Sequence, residues 1–328
     1  MKKEIVHFCK EDNENYTKTS PLFGLSSILI SENDTRLSIK QITPNMSCGP
    51  DGIPGILLRN CMDALASPLT EFWNLSMKMG KIPKRLKSAF VLPFLKSGSN
   101  KNIPSSYRPI SQTSQLMKLH ERSVKRFLQS YLEKGELIND FQYGFREKRS
   151  CLAQLLNFYN EILTNIEEGN NNDVIYLDFQ KVFDVVDWGV LCHRMRDKGI
   201  DGEIAVWIHD FLTDRTQQIL VNDTLSSISQ VTSGVPQGTV LGPLLFLVLI
   251  DSLGDAEIDA LMTAFADDSK IAQKITDEND ALKLQEDMEQ IYTWQENSNM
   301  KFNVTKFHTL KFRRNQGLKT QYNYFGPQ

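Results

Sequence analysis

Apolar residues recur every three to four positions along several stretches of the chain. In Ser114–Leu132 they gather on one side, opposite a side rich in Lys and Arg, which predicts an amphipathic helix. The same spacing predicts further helices over Leu57–Met79 (two helices broken near Pro68), Cys151–Glu168, Val190–Lys198, Glu203–Leu212, Val240–Asp251 and Asp277–Ser298.

Shorter runs rich in β-branched and aromatic residues predict strands between these helices. One hairpin is predicted from Leu261–Phe265 and Ser269–Gln273, with the turn at Ala266–Asp268, and Asn170–Asp173 is predicted as a surface turn before the strand Val174–Phe179. Other strands are predicted over Ala89–Leu95, Gln217–Val221 with Ile228–Thr232, and Met300–Phe302 with His308–Phe312.

The hairpin carries two adjacent carboxylates, Asp267 and Asp268. Adjacent residues of a strand point to opposite faces, so an Asp-Asp pair favours a turn. A carboxylate fixed at such a tip could hold Mg²⁺ with a second carboxylate from elsewhere, and Asp178, near the end of its strand, is a candidate. From the Asp-Asp pair alone, a solvated turn is the favoured interpretation, and Asp178 could equally cap the next helix.

Charge is distributed unevenly along the 328 residues, although the net charge is only −3. Residues 78–150 contain 16 Lys and Arg against 5 Asp and Glu, which suits binding to a polyanion but equally a solvated helical surface. The five cysteines have no CxxC spacing, which argues against a zinc site and a disulfide framework. The longest apolar run, Val240–Ile250, is too short to span a bilayer.

Several short motifs, taken together and in order, make the chain resemble the reverse transcriptases of LINE-type (non-LTR) retrotransposons, most closely the jockey group. The resemblance extends from Leu37 to Phe312. The motifs that carry it are Gly49–Pro54, Tyr107–Ser111, Gln142–Arg146, Leu177–Phe179 with Phe183-Asp184, Ser233–Gly238 with Leu241–Pro243, Phe265–Asp268, and Met300–Asn303 with Lys306.

The resemblance implies a right-hand polymerase core of the α+β class. Residues 37–169 would be the fingers, and residues 170–312 would be the palm, an antiparallel sheet backed by helices. We expect residues 1–36 to be a weakly ordered lead-in. We expect residues 313–328 to be a truncated tail that stops before the primer grip and the thumb, so that the thumb is absent.

The implied activity is that of an RNA-directed DNA polymerase, which adds deoxynucleotides to a primer 3′-OH with two Mg²⁺ ions, or Mn²⁺ in their place. By the resemblance, Asp178 and Asp267 bind both ions, Asp268 supports them, and Phe179 contributes its backbone carbonyl. Lys306 would act as the general acid toward pyrophosphate. On its own, Lys306 could equally be a surface lysine beside a strand.

The resemblance also implies a nucleotide-binding set. Phe183 occupies the position of a steric gate against the ribose 2′-OH, and Lys96 and Arg108 occupy positions that contact the triphosphate. Gln237 and Gly238 match the loop that packs against nucleotide and template. From the residues alone, Phe183 could be a core aromatic, the two cations could be solvated, and the Gln-Gly loop could only cap the following helix.

Three positions depart from the family pattern, at Val182, Trp188 and Asp251-Ser252, and none removes a metal ligand. The implied partners are an RNA template, a DNA primer and deoxynucleoside triphosphates. We expect no association with a membrane and, from the family, a location in the nucleus or cytoplasm. The oligomeric state stays open. The alternative function is an inactive truncated remnant that folds and at most binds nucleic acid. An unrelated Mg²⁺ phosphohydrolase would not explain the loop at Ser233–Gly238.

Overall fold

The computed structural model describes residues 24–43, 47–314 and 319–324. Residues 1–23 of the predicted lead-in and residues 315–318 and 325–328 of the predicted tail lie outside them. The chain divides into two units: Met1–Leu137 with Trp188–Leu245, and Ile138–Asp187 with Phe246–Gln328. Each unit therefore takes two separate stretches of chain, whereas the predicted fingers and palm are contiguous ranges.

The described residues form both helices and strands. The helices are α1 Glu32–Lys40, α2 Gly55–Asn60, α3 Met62–Met79, α4 Gln115–Lys134, α5 Cys151–Glu167, α6 Trp188–Asp197, α7 Gly202–Leu212, α8 Gly242–Ile250 and α9 Glu278–Ser298. The strands are β1 Ser88–Leu95, β2 Tyr107–Thr113, β3 Asn171–Leu177, β4 Thr216–Val221, β5 Thr224–Leu225, β6 Ser229–Gln230, β7 Leu261–Phe265, β8 Asp268–Ile275 and β9 His308–Phe312.

In the first unit, a mixed sheet has the order β2-β1-β4-β5, and β6 also pairs with β4. Strands β1 and β2 are antiparallel, whereas β1 and β4 are parallel. The helical part of this unit is built around a buried apolar cluster to which α1, α2, α3 and α4 all contribute. Its fully buried members are Ile30, Ile39, Ile42, Leu58, Leu69, Trp73 and Leu119.

In the second unit, the sheet order is β7-β8-β3-β9, and every pairing is antiparallel. Helix α5 packs against β3 and β7, and α9 packs against β8. Phe158 and Ile162 of α5 meet Val174 of β3 and Ala272 of β8 in one buried cluster. Strand β3, whose end carries Asp178, lies between β8 and β9 and is covered on one face by this packing.

Four local predictions differ from the structure. Pro68 lies inside α3, and the helix break falls at Cys61 instead. Proline removes the hydrogen bond to the carbonyl four residues earlier. Here that carbonyl belongs to Ala64, which is exposed like Pro68 itself, so water can satisfy it.

The segment predicted as a surface turn, Asn170–Asp173, instead contributes the first residues of β3. Asp173 is fully buried because its carboxylate contacts Arg313, Thr320 and Tyr322, which lie far along the chain. The final pair of strands was also predicted wrongly. Strand β9 pairs with β3 and not with residues 300–302.

The hairpin partner of β4 also differs from the prediction. Strand β5 pairs with β4 across the turn Asn222-Asp223, and of the predicted strand Ile228–Thr232 only β6 pairs with β4.

None of the helices in the described ranges is both long and apolar enough to cross a membrane.

Candidate active site

The register of β3 and β8 brings three carboxylates to one end of the second sheet. The strands are antiparallel, with Leu177 opposite Ser269. Asp178 directly follows the last residue of β3, and Asp268 is the first residue of β8. Because antiparallel strands place the end of one beside the start of the other, Asp178 comes to lie at the same edge as Asp267 and Asp268.

The hairpin turn forms where the sequence predicted it. Phe265 pairs with Asp268, which leaves Ala266 and Asp267 as a two-residue loop, called here loop 266–267. Ala266 has a φ of +59°. The favoured two-residue hairpin turns require a positive φ at the first loop residue. Asp267 is therefore held at the tip of a tight turn and not in a regular strand.

Lys306 lies beside Asp178 in this cluster. Its Nζ is 3.2 Å from Oδ1 and 3.0 Å from Oδ2 of Asp178. The Asp178 side chain is 28% exposed and the Lys306 side chain 63% exposed. The lysine thus partly neutralises the carboxylate while its ammonium group remains open to solvent.

Burial and neighbouring charges both shift the pKa of Asp267. Burial raises the pKa of Asp267 above its ordinary value, and the negative charges of Asp268 and Asp178 raise it further. Lys306 acts in the opposite direction. Carboxylates that repel one another in this way are stabilised by any cation that binds among them.

The donor set fits a divalent metal ion. Oδ2 of Asp178 is buried and accepts no hydrogen bond, although Lys306 lies at ion-pair distance, so this oxygen keeps a lone pair available. Within the described residues, no group of three or more His, Cys, Asp or Glu forms a metal cage. Mg²⁺ usually needs only one or two carboxylates, with water and substrate phosphates completing its shell.

The backbone around Phe179 is fixed by the segment that leads to Lys306. The N–H of Asn303 donates to the carbonyl of Asp178 (2.8 Å), and the N–H of Gln180 donates to the carbonyl of Lys301 (2.8 Å). The Phe179 ring is buried against Trp294 and Phe302. The Phe179 side chain is therefore part of the core, and the role of its backbone carbonyl as a metal ligand stays a prediction.

Phe183 combines a core contact with partial exposure. Its ring lies 4.8 Å from the ring of Phe246, which is fully buried in α8. The Phe183 side chain itself is half-buried. The packing on Phe246 fixes one side of the ring, so the other side can act as a rigid steric wall.

The first unit holds the other four predicted residues. Lys96 follows β1, and Arg108 lies opposite Phe94 near the free end of the β1–β2 hairpin. Arg108 is exposed, and Nζ of Lys96 donates to the carbonyl of Ser105 (3.0 Å). The hairpin thus places two cations close together at one exposed tip.

The loop of residues 233–239 docks on the other end of β2. The N–H of Ser111 donates to the carbonyl of Gln237 (2.6 Å). Gly238 has a φ of +104°, and a Cβ at this position would lie 2.5 Å from the carbonyl oxygen of Ser111. Only glycine allows both this backbone conformation and this approach to β2.

Residues 95–327 match the family described as reverse transcriptase (RNA-dependent DNA polymerase). The chain belongs to the reverse transcriptase family. The motifs at Tyr107–Ser111, Ser233–Gly238 and Phe265–Asp268 lie within the matched range. The predicted resemblance is therefore confirmed.

Relatives of this reverse transcriptase chain come from insect mobile elements. It is 27% identical to the RNA-directed DNA polymerase from mobile element jockey of Drosophila melanogaster. This match extends over 312 residues, which are 93% of this chain and 34% of the relative. It is 28% identical over 320 residues to the probable RNA-directed DNA polymerase from transposon BS of the same species, covering 93% and 35%. The chain spans about a third of the length of these relatives.

A solved structure of telomerase from Candida tropicalis, in complex with a TWJ fragment of telomeric RNA, has the same fold. The TM-score is 0.52 at 12% sequence identity, over 77% of this chain and 45% of the telomerase chain. At this identity the likeness concerns the fold alone. It supports a polymerase-type core for this reverse transcriptase chain.

Sequence reasoning missed Glu121, which supports the loop of residues 233–239. Its Oε2 accepts hydrogen bonds from the N–H groups of Val240 (2.6 Å) and Leu241 (2.9 Å), directly after the loop. Burial raises the pKa of Glu121, which lies wholly inside the fold, and these two bonds and the charge of Arg215 oppose that rise. The sequence did contain one signal for this residue. Glu121 follows Met117 by four residues, which places its charged side chain on the buried, apolar side of α4.

Part of the charge in the basic segment 78–150 is paired within the first unit. Lys81 and Lys87 both contact the carboxylate of Asp210, each at 2.7 Å. Arg126 contacts Asp34 at 3.3 Å. The segment therefore presents less free positive charge to a polyanion than its composition alone indicates.

Proposed function

We propose that this chain is the catalytic core of an RNA-directed DNA polymerase, which extends a DNA primer along an RNA template. The observation that carries the proposal is the convergence of Asp178 and Asp267 at one edge of the second sheet, in a member of the reverse transcriptase family. Primer extension joins the 3′-oxygen of the primer to the α-phosphorus of a deoxynucleoside triphosphate and releases pyrophosphate.

The carboxylates of Asp178, Asp267 and Asp268, with the backbone carbonyl of Phe179, would hold two divalent metal ions, Mg²⁺ by preference and Mn²⁺ as a substitute. Such ions, when bound, stabilise negative charge on the attacking and departing oxygens. The Oδ2 of Asp178 supports this assignment, because it is buried and contacts the ammonium group of Lys306 as an ion pair without accepting a hydrogen bond. So does the pKa of Asp267, which burial raises and the charges of Asp268 and Asp178 raise further, since a bound cation would relieve that repulsion.

The side chains around the carboxylates have separate tasks in this proposal. Lys306 donates a proton to the departing pyrophosphate, for which its solvent-open ammonium group is suited. Phe183 excludes the ribose 2′-OH and so selects deoxynucleotides. Its ring is supported for this by contact with Phe246.

The predicted fingers (37–169) and palm (170–312) belong to the same proposal. Lys96 and Arg108 bind the triphosphate of the incoming nucleotide through charge and hydrogen bonds. Gln237 and Gly238 pack against the nucleotide and the template. The docking of their loop on Ser111 supports a fixed surface there.

Primer extension on poly(rA)/oligo(dT) with Mg²⁺ tests the proposal. The variant D267N removes one metal-binding charge and keeps the shape of the side chain. Its matched control is D223N, since Asp223 also lies in a two-residue hairpin loop but is exposed in the first unit, between β4 and β5. We expect incorporation by the wild type and by D223N, and a loss on the order of 100-fold or more in D267N.

Folded wild-type chain that incorporates no nucleotide with Mg²⁺ or Mn²⁺ would overturn the proposal for this chain and favour the inactive remnant. Equal incorporation by D267N and the wild type would overturn the assignment of Asp267 while leaving polymerase activity standing. Circular dichroism of each variant establishes that the comparison is between folded proteins.

A further inference from the structure

The side chain of Gln142 is fully buried, and its carboxamide is hydrogen-bonded to both the N–H and the carbonyl of Ala266. Its Nε2 donates to the Ala266 carbonyl (3.1 Å), and its Oε1 accepts from the Ala266 N–H (2.9 Å). Oε1 also accepts from the N–H of Gly144 (2.8 Å). The carboxamide therefore makes three hydrogen bonds, two of them to the residue that precedes Asp267.

These hydrogen bonds act on a conformation that alanine adopts reluctantly. A φ of +59° brings the Cβ of an L-residue close to the neighbouring carbonyl oxygen and costs about 1 kcal/mol or more. Bonds to both the N–H and the C=O of Ala266 fix the peptide planes on either side of it. The second of these planes contains the nitrogen of Asp267, so the direction of that side chain depends on it.

The segment around Gln142 is itself held against the hairpin. The N–H of Ala264 donates to the carbonyl of Phe141, and the N–H of Tyr143 donates to the carbonyl of Ala264, each at 2.8 Å. At Gly144 a Cβ would lie 2.3 Å from the nitrogen of Ala266, so only glycine permits this approach. Residues 141–144 thus continue the sheet beyond β7, up to loop 266–267.

A second set of contacts anchors the start of this segment. The N–H of Asn139 donates to Oδ1 of buried Asp251 (2.7 Å), and its Nδ2 donates to the Asp251 carbonyl (3.0 Å). Arg146 donates to the carbonyl of Asn139 (2.9 Å). Gln142 is therefore attached to a rigid base, which a side chain needs if it is to hold another group in place.

We propose that Gln142 is a positioning residue: its carboxamide holds loop 266–267 in the left-handed conformation at Ala266 and thereby fixes the direction of the Asp267 carboxylate, to which the proposed function assigns metal binding. The inference rests on the proposed polymerase function for its consequence, but not for the contact itself. The Gln142 side chain is buried against backbone groups of Ala266 and Gly144, so it acts through Asp267.

The contact can be tested without activity. Hydrogen exchange at the Ala266 amide, followed by NMR on chain labelled with ¹⁵N-alanine, reports the bond to Oε1. We expect this amide to exchange about 100-fold more slowly than in an unstructured peptide, and at least tenfold faster again in Q142L. An unprotected Ala266 amide in the wild type would overturn the inference, whatever the variants do.

The consequence is tested by kinetics on the same proteins. A misdirected metal-binding carboxylate impairs the chemical step more than substrate binding, so we expect kcat in Q142L to fall on the order of 10- to 100-fold, with KM for the nucleotide within about twofold. Q142E keeps the acceptor oxygen and loses the donor to the Ala266 carbonyl, and we expect a similar loss of kcat.

Q154L is the matched control. Gln154 is also buried in the second unit, and its Nε2 contacts the side chain of Thr263 in β7 at 3.5 Å, away from loop 266–267. We expect Q154L to keep both kcat and Ala266 protection within about twofold of the wild type.

Equal losses of kcat in Q142L and Q154L would show a general structural effect and overturn the positioning role. An inactive wild type with a protected Ala266 amide would instead overturn the proposed polymerase function, while supporting the hydrogen bond between Gln142 and Ala266.

Discussion

Nζ of Lys306 lies 3.0 Å from Oδ2 of Asp178, although 128 residues separate the two in the chain. The pairing follows from the hydrogen bonds between residues 178–180 and 301–303, which bring the short helix Val304–Lys306 to the end of β3. Lys306 is thereby placed to balance the charge of Asp178, and the proposed function also makes it a proton donor. The two roles make different predictions.

The variants K306R and K306M separate these roles. Arginine keeps the positive charge but stays protonated at any accessible pH, so it cannot act as an acid. If Lys306 protonates pyrophosphate, we expect single-turnover incorporation to fall by about 100-fold in both variants. Near-wild-type rates in K306R, with a loss confined to K306M, would instead assign Lys306 the charge-balancing role alone.

The variant G238A tests the docking of the loop of residues 233–239. Its new Cβ would meet the Ser111 carbonyl at 2.5 Å, so the loop must move away from β2. We expect KM for the nucleotide to rise several-fold, roughly as for the loss of one or two contacts, with a smaller change in kcat. Steady-state incorporation over a range of nucleotide concentrations measures both.

The control for G238A is G169A. Gly169 has a similarly positive φ of +93°, but a Cβ there would contact nothing within 4 Å. It therefore carries the conformational cost of alanine without the collision. A KM increase of the same size in G169A would contradict the docking explanation.

His120 makes stability depend on pH. Its ring is stacked on Trp73 at 5.4 Å and lies 4.7 Å from Trp207, and burial lowers the pKa of His120 to about 3. The unfolded chain takes up this proton near pH 6.5, whereas the folded chain does not. Stability is therefore retained above about pH 6.5 and lost as the pH falls toward 3. We expect a loss of about 2 kcal/mol between pH 8 and pH 5 from this residue.

Guanidinium unfolding of the wild type and of H120F at pH 8 and pH 5, followed by tryptophan fluorescence, measures this term. Phenylalanine keeps an aromatic ring between the two indoles and removes the titrating group. Between pH 8 and pH 5, we expect the free energy of unfolding to fall by about 2 kcal/mol less in H120F than in the wild type. Identical pH dependence in both proteins would mean that His120 is protonated inside the fold.

Asp210 anchors two lysines inside the first unit. Burial on its own would raise the pKa of Asp210, but hydrogen bonds from Lys81, Lys87 and the N–H of Ile82 hold it below its ordinary value. The variant D210N leaves the buried Lys87 without its carboxylate. We expect the free energy of unfolding to fall by about 3 kcal/mol at neutral pH, measured by chemical denaturation.

K87M is the matched variant for the same cluster. It removes the buried cation and leaves Asp210 bound to Lys81 and to the N–H of Ile82. We expect K87M to cost much less than D210N, about 1 kcal/mol or less, because no charge is left buried and unpaired. A larger loss in K87M than in D210N would contradict this explanation.

Local sequence pattern predicted most elements of this reverse transcriptase chain. The helix predicted at Ser114–Leu132 is α4, and the hairpin predicted around Ala266–Asp268 is β7 with β8. These succeed because both depend on near neighbours, namely the apolar period of a helix and the turn preference of an Asp pair. The motifs were also enough to predict the family, since their order along the chain does not depend on folding.

By itself, the sequence determined which charged residues lie around the end of β3 and loop 266–267: Asp178, Asp267, Asp268 and Lys306. Only the tertiary structure decided that Asp178 and Lys306 form an ion pair, that Asp173 is buried, and that Gln142 and Glu121 each hold a loop through its backbone. The physical reason is that these contacts join residues more than 100 positions apart, or depend on burial. A side chain that bonds to a distant backbone group leaves no periodic signal of its own.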